Sequence, residues 1–143
     1  MDIVQRAKEL AHRAHAGQVD KAGLPYIEHV ARVASAFGSY DDAATVAWLH
    51  DVIEDCPAYE AEVIGEFPLH ICVAVLALTK RPGIETDSYW NKIRANPLAR
   101  VVKLADISDN ADEDRLALLD PPVAQRLRKK YARARAILLR DGE

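Results

Sequence analysis

Residues 48–55, WLHDVIED, limit the possible folds of this chain more than any other stretch. The flanking residues are apolar, as in a buried helix, yet four titratable groups fall within six positions, namely His50, Asp51, Glu54 and Asp55. Burying several acids together is costly unless a cation or hydrogen bonds compensate for their charge. An adjacent imidazole and carboxylate suit Mn, Fe or Zn. The stretch therefore fits either a metal site or an ordinary amphipathic helix whose acids face water.

The spacing of these groups predicts how they share a helix. Residues four apart lie on one face, so a continuous helix would place Glu54 over His50 and Asp55 over Asp51. We expect this central helix to be capped by Asp41 or Asp42 and to end before Pro57.

Hydrophobic periodicity predicts helices along the whole chain and no strand. Glycines, an aspartate and a proline make residues 16–25 a loop. We expect one all-α domain spanning residues 1–143, a bundle of about eight or nine helices. The predicted helices cover residues 3–15, 26–37, 41–56, 59–67, 68–79, 86–95, 98–107, 112–119 and 123–139. Thr86 or Asp87 is expected to cap the sixth of these helices.

The last predicted helix carries both an apolar stripe and a basic face. Leu127, Tyr131, Ala134 and Leu138 follow one side, which suits either packing within the chain or a homodimer. The basic residues between 126 and 140 fit the solvated face of a helix. The formal net charge of −3 argues against a nucleic-acid partner, which needs a basic footprint.

The chain offers no sign of a membrane or secreted protein. It lacks the apolar core of a signal peptide near its first residue, and no apolar run is long enough to cross a bilayer. Cys56 and Cys72 do not form a metal-type pair, and we expect them to be reduced thiols. These features favour a cytoplasmic protein.

Two further residues are candidate metal ligands. His29 follows the glycine-rich loop, and Asp106 lies at the polar end of an apolar helix. Taken singly, His29 is as well explained as a surface or core histidine, and Asp106 as a helix-end aspartate. Together with His50 and Asp51 they would supply two imidazoles and two carboxylates, with room left for water and substrate.

With these residues, the chain resembles the HD-domain phosphohydrolases, and among them the alarmone (ppGpp) hydrolase branch. That branch includes the hydrolase half of RelA/SpoT proteins and the stand-alone small alarmone hydrolases. The resemblance spans roughly residues 5–120, and its motifs occur in the family's order. They are AHAGQ at 14–18, GLPYIEH at 23–29, LHDVIED at 49–55, LTK at 78–80 and VKLAD at 102–106, with Asn110 four residues further on.

The resemblance implies a metal-dependent hydrolase. It implies that His29, His50, Asp51 and Asp106 bind one divalent ion, usually Mn²⁺ in this branch. It also implies that Glu54 and Asp55 handle the attacking water in removal of the 3′-pyrophosphate from ppGpp. Because the chain ends well before the position of a synthetase domain, we expect hydrolysis only.

Substrate contacts are expected around these residues. Lys21 is a candidate for a phosphate, and Tyr26 for packing beside a base or for anchoring the loop in the core. Lys103 and Asn110 lie one turn before and after Asp106, on the same face of their helix. Lys80 and Arg81 suit either a phosphate clamp or favourable charges at a helix C-terminus.

Four positions depart from the family pattern. Asp20 replaces a loop arginine that stacks on guanine in the long RelA/SpoT proteins, and Ile107 replaces the arginine after the last metal aspartate. Val30 replaces a proline, and Cys56 replaces a threonine. No ligand is lost, but the case for guanine weakens because arginine supplies stacking and bidentate contacts. Another nucleotide or phosphorylated metabolite, or a nucleotide-binding module without catalysis, therefore stays open.

Overall fold

Helices make up the framework of the chain. The computed structural model describes residues 1–140, and over that range it contains ten α-helices and no β-strand beyond one isolated bridge between Val19 and Pro25. The helices are α1 (Ile3–Ala14), α2 (Tyr26–Ser35), α3 (Asp41–Leu49), α4 (Val52–Asp55), α5 (Glu60–Glu66), α6 (Leu69–Leu78), α7 (Thr86–Ala95), α8 (Pro97–Asn110), α9 (Glu113–Leu116) and α10 (Pro121–Leu138). A turn of 3₁₀-helix (Pro57–Tyr59) precedes α5.

The all-α prediction is confirmed, and each predicted helix has a counterpart. The prediction of one continuous central helix was wrong, because it divides into α3 and α4 at His50 and Asp51. There the Ala47 carbonyl accepts a hydrogen bond from the His50 ring at 2.6 Å. Asp51 adopts φ −109° and ψ 0°, and the helical pattern resumes when the Asp55 N–H bonds to the Asp51 carbonyl. The His-Asp pair thus lies in a kink, a local geometry that hydrophobic period does not report.

Two predicted helix caps were also wrong. Helix α3 begins at Asp41, so Asp41 and Asp42 lie in its first turn, where their charge favours the N-terminus without a side-chain cap. Helix α7 begins at Thr86 after Glu85, also without a side-chain cap.

Helix α3 is the centre of the packing. Every residue from Ala43 to Leu49 is buried, and the helix contacts α1, α2, α6 and α8. Because α3 is enclosed by these helices, its C-terminal end meets the middle of α2 and of α8 inside the protein. Side chains at that end therefore face one another away from solvent.

The last helix uses its apolar stripe within the chain. Leu127, Ala134 and Leu138 are buried, Tyr131 is half-buried, and α10 packs against α7 and α8. The basic residues of this helix are exposed on its other sides, as expected. Among residues 1–140, no helix is both long and apolar enough to cross a membrane. The thiols of Cys56 and Cys72 are free.

The contrast between Leu138 and Leu139 tests the packing of α10. Leu138 is fully buried and Leu139 is 48% exposed. We expect Leu138→Ala to lower the free energy of unfolding by about 2–5 kcal/mol, because it leaves a cavity in the core. Leu139→Ala should change it by less than about 0.5 kcal/mol. Urea unfolding of both variants measures the difference, and equal losses would contradict this packing of α10.

Candidate metal centre

Four side chains from α2, α8 and the α3–α4 kink meet inside the protein. One ligand atom each from His29, His50, Asp51 and Asp106 lies within 4.8 Å of all the others. Both histidines are 1% exposed and Asp106 is 5% exposed. The structure therefore brings together all four residues that the sequence singled out as metal ligands.

The ring nitrogens and carboxylate oxygens of this group point at one another. The Nε2 atom of His29 lies 2.9 Å from Asp106 Oδ1, and the Nε2 atom of His50 lies 3.3 Å from the same oxygen. His50 Nε2 is also 3.0 Å from Asp51 Oδ2. Two nitrogens and two carboxylate oxygens at one buried point form a donor set that a divalent ion fits, and its charge would compensate for burying the two acids.

Hydrogen bonds on the far side of each imidazole fix its orientation. His50 Nδ1–H donates to the Ala47 carbonyl at 2.6 Å, and His29 Nδ1–H donates to Asp109 Oδ2 at 2.6 Å. In both rings this leaves Nε2 facing the centre, the arrangement found for ligating histidines whose other nitrogen is held by a carbonyl or carboxylate.

Asp109 is itself held by two arginines. Arg32 Nε and Arg115 Nη1 each lie 2.8 Å from its carboxylate. Burial alone would raise the pKa of Asp109, but the hydrogen bonds from His29 and Arg32 outweigh it and lower the pKa to about 2. The carboxylate is therefore ionised at neutral pH, and it accepts a hydrogen bond from His29 Nδ1–H.

Three residues that the sequence proposed as substrate contacts are bonded to ligand carboxylates. The Tyr26 hydroxyl donates to Asp51, while Lys103 Nζ and Asn110 Nδ2 lie 3.0 and 3.2 Å from Asp106. The Tyr26 ring also contacts the His15 and His29 rings. Burial and the neighbouring Asp51 charge raise the pKa of Tyr26, so it stays a hydroxyl donor.

A cleft of about 680 Å³ opens beside this centre and is reached by Asp51 and Asp106. Asp51, Glu54 and Asp106 lie on its wall beside Tyr26 and Asn110, and apolar side chains of α9 and α10 line its far end. Asp55 is not part of this lining. Several cationic side chains also face the cleft, namely Lys21, Lys80, Lys103, Arg115, Lys130 and Arg133.

Glu54 and Asp55 each have one hydrogen-bond donor. The backbone N–H of Lys80 donates to Glu54 Oε1 at 2.6 Å, and Gln18 Nε2 donates to Asp55 Oδ2 at 3.0 Å. Burial raises the pKa of both carboxyls, and the negative charge of Asp51 raises it further. A carboxylate with a raised pKa is a stronger base at neutral pH than an ordinary one.

Two sequence-based expectations look different in the structure. Arg81 bonds to both carboxylate oxygens of Glu60 at 3.1 Å and is not among the described residues that line the cleft, whereas Lys80 does line it. Asp20 uses Oδ1 to accept from the backbone of Ala22 and Leu24, and Oδ2 to accept from Arg115 at 3.1 Å. Asp20 therefore fixes the loop.

The sequence analysis missed Asp109, Arg115 and Gln18. Asp109 lies three residues after Asp106, so helical spacing placed it near the centre, and this signal was available. Arg115 carried no local signal, because α9 folds back to bring its guanidinium to Asp20 and Asp109. Gln18 stood within one of the family-like motifs, but nothing in the sequence indicated its contact with Asp55.

The fold resembles that of one class of protein. The chain has the all-α HD-domain hydrolase fold. It covers 84% of a solved structure described as "A metazoan ortholog of SpoT hydrolyzes ppGpp and plays a role in starvation responses". The match includes 96% of this chain, with a TM-score of 0.74 and 23% sequence identity. At that identity the likeness shows the fold alone.

Sequence relatives give the nearer comparison. The chain is 31% identical over 118 residues to the guanosine-3′,5′-bis(diphosphate) 3′-pyrophosphohydrolase of Aquifex aeolicus, a match to 75% of this chain. It is 36% identical over 83 residues to the GTP pyrophosphokinase of Myxococcus xanthus, a match to 56% of this chain. It spans only 17% and 11% of those two proteins. No family model matches the chain. The resemblance to RelA/SpoT-type hydrolases is confirmed.

Asp109 provides a test of how His29 is held. We expect Asp109→Asn to weaken Mn²⁺ binding by about 10–100-fold, because the amide no longer supplies a charged acceptor for His29 Nδ1–H. Isothermal titration with Mn²⁺ measures the change. Asp114→Asn, an identical charge change at an exposed residue of α9, serves as the control. Equal Mn²⁺ affinities in the two variants would show that Asp109 does not support His29 as a metal ligand.

Proposed function

We propose that the chain is a Mn²⁺-dependent phosphohydrolase that removes the 3′-pyrophosphate of ppGpp or of a related nucleotide. The observation that carries the proposal is the convergence of His29, His50, Asp51 and Asp106 on one point beside Glu54, on the wall of a cleft lined by cations. The names of the Aquifex aeolicus relative and of the solved SpoT-type structure support the same substrate.

The proposed reaction is a hydrolysis at phosphorus. A water oxygen bonds to the phosphorus attached to the nucleotide's 3′-oxygen, and the bond from that phosphorus to the 3′-oxygen breaks. The 3′-oxygen keeps the electron pair and takes up a proton, which gives a nucleoside 5′-diphosphate and pyrophosphate. The developing negative charge on the phosphoryl oxygens is what the site has to stabilise.

His29, His50, Asp51 and Asp106 would hold one divalent ion. When bound, such an ion lowers the pKa of water and offsets the charge of a phosphate. Burial of the two imidazoles, together with their bonds to Ala47 and Asp109, keeps both Nε2 atoms directed at one point. The Tyr26 hydroxyl holds the Asp51 carboxylate by a hydrogen bond, and Lys103 Nζ holds the Asp106 carboxylate.

Glu54 is the residue we propose as the base. Its carboxylate lies on the cleft wall, and the Lys80 N–H fixes its direction by donating to Oε1, while no hydrogen bond from residues 1–140 engages Oε2. Burial raises its pKa, which favours uptake of the proton from the attacking water. Asp55, one residue further on, is proposed to assist in orienting that water.

The cations of the cleft are proposed to bind the phosphates of the substrate. Lys21 lies on the exposed loop at the cleft edge, and Lys103 lies at its floor beside Asp106. Asn110 and Tyr26 also reach the cleft and are proposed to contact the ribose, a phosphate or the base. Charged donors of this kind bind phosphate oxygens strongly in a partly buried site.

A specific observation supports a second candidate, the same hydrolysis on a nucleotide with another base. The two oxygens of Asp20 are engaged by the loop and by Arg115, and Ile107 is 3% exposed. Neither position supplies an arginine for stacking on guanine. Comparison of kcat/KM for ppGpp and its adenine counterpart separates the candidates. A preference for ppGpp of tenfold or more supports the first, and a ratio near one supports the second.

Turnover of ppGpp by the purified protein tests the proposal. We expect Mn²⁺-dependent release of GDP and pyrophosphate, and loss of that release in Asp51→Ala because one ligand is missing. Asp42→Ala, which removes an exposed aspartate from the first turn of α3, should retain activity. Tight nucleotide binding without turnover in any divalent metal would instead favour a binding module.

Glu54 predicts the acid side of the pH profile. A base acts in its ionised form, so activity should fall as pH drops through the pKa of Glu54, which burial raises above the ordinary value of 4.5. The fall should therefore start at a higher pH than for an ordinary glutamate. Glu54→Gln should lower kcat by about 10²–10⁴-fold and remove this part of the profile. Glu66→Gln is the charge-matched control, and full activity in Glu54→Gln would refute the assignment.

A further inference from the structure

The turn after α1 contains polar residues to which the proposed reaction has so far given no role. His15 ends α1 and is 1% exposed, and Gln18 follows three residues later. Gly17 between them has φ +80°, a left-handed conformation that glycine adopts at little cost. This turn sends the chain back on itself, so the Gln18 N–H bonds to the His15 carbonyl at 3.0 Å.

The side chains of this turn form a line that ends at Asp55. His15 Nδ1 lies 2.7 Å from Gln18 Oε1, and Gln18 Nε2 lies 3.0 Å from Asp55 Oδ2. The chain around Asp55 is fixed from the same side, because the Cys56 thiol donates to the Ala14 carbonyl at 3.1 Å. Two side-chain contacts, from Gln18 to Asp55 and from Cys56 to Ala14, thus join the end of α1 and its turn to the end of α4.

We infer that His15 and Gln18 are positioning residues that hold the Asp55 carboxylate in the fixed direction that its proposed role in orienting the water requires. This inference rests on the proposed function and deepens it, since it explains why the Asp55 carboxylate is oriented by other groups than the Glu54 carboxylate. Glu54 is oriented by a backbone N–H, whereas Asp55 depends on a side chain that is itself oriented by another.

The direction of the hydrogen bonds follows from the chemistry of Asp55. An ionised carboxylate only accepts, so Gln18 must present its NH₂ group to Asp55. The Gln18 carbonyl oxygen then faces His15 and accepts from Nδ1–H. The opposite orientation of the amide would place its oxygen against the carboxylate, which is repulsive. The Nδ1–H donor of His15 therefore holds the Gln18 amide in the orientation that Asp55 requires.

The other nitrogen of His15 supports this reading. Nε2 is the one buried side-chain nitrogen or oxygen within residues 1–140 that has no hydrogen-bond partner. Leaving a buried polar atom unpaired is costly, so a residue chosen only to fill this space beside the Tyr26 ring would be apolar. The histidine is useful at this position through Nδ1, which is the atom that bonds to Gln18.

Substitutions of His15 separate the two nitrogens. The side-chain amide nitrogen of asparagine is attached to Cγ, as Nδ1 is in histidine, so His15→Asn keeps a donor to Gln18. His15→Leu keeps an apolar side chain and removes the donor. Gln18→Glu replaces the donor to Asp55 by an acceptor, on a partly exposed residue of the loop.

Turnover and Mn²⁺ affinity are measured for each variant. We expect His15→Leu and Gln18→Glu to lower kcat by about 10–100-fold, with KM and Mn²⁺ affinity within about twofold of the parent protein. His15→Asn should keep kcat within about threefold. Equal losses in His15→Asn and His15→Leu, or losses confined to metal affinity, would overturn the inference because they indicate a packing role.

A measurement without turnover keeps this inference separate from the proposed function. The Gln18 side-chain amide is followed by ¹H–¹⁵N NMR in the Zn²⁺-loaded protein, because Zn²⁺ is diamagnetic and accepts nitrogen and oxygen ligands. We expect its signal to move in Asp55→Asn and His15→Leu and to stay in place in His15→Asn. A signal indifferent to all three overturns the inference, whether or not ppGpp is hydrolysed. A signal that moves as expected in a protein inactive on ppGpp contradicts the proposed substrate alone.

Discussion

The burial of Asp106 is the constraint on which the rest of the structure depends. Burial alone would raise its pKa, but Lys103 and the two histidines hold the pKa well below the usual range, so a charge is kept inside the protein. Its oxygens lie within 3.3 Å of side-chain nitrogens of His29, His50, Lys103 and Asn110, which belong to α2, the α3–α4 kink and α8. A buried carboxylate is tolerable only with such partners. The same contacts therefore keep the charge in place and fix how three elements meet.

The kink after Leu49 follows from this arrangement. A straight α3 would carry His50 and Asp51 onward in helical geometry, whereas the break lets both side chains turn toward Asp106. At the break the Ala47 carbonyl accepts from the His50 backbone N–H at 3.5 Å and from the His50 ring at 2.6 Å. Local loss of helix is compensated by a hydrogen bond that also sets the direction of Nε2.

The sequence alone predicted the framework because the apolar period survives in α1, α2, α7, α8 and α10, where one side of each helix is buried, and because α6 is apolar nearly all round. It also predicted which residues would meet at the centre, through motifs occurring in a family's order. It did not predict the kink at His50, because α3 is buried all round from Ala43 to Leu49. Its sequence therefore has no polar face there that would indicate where the helix ends. It missed Arg115 because contacts between residues 20, 109 and 115 depend on how α9 folds back.

Three buried side chains and the partly buried Asp51 are thus proposed to bind one divalent ion. Anomalous scattering from crystals grown with Mn²⁺ tests it most directly. We expect one strong anomalous peak, about 2.0–2.3 Å from the Nε2 atoms of His29 and His50 and from one carboxylate oxygen each of Asp51 and Asp106. A protein with no peak among these atoms, or with Mn²⁺ bound only at surface acids, would contradict it.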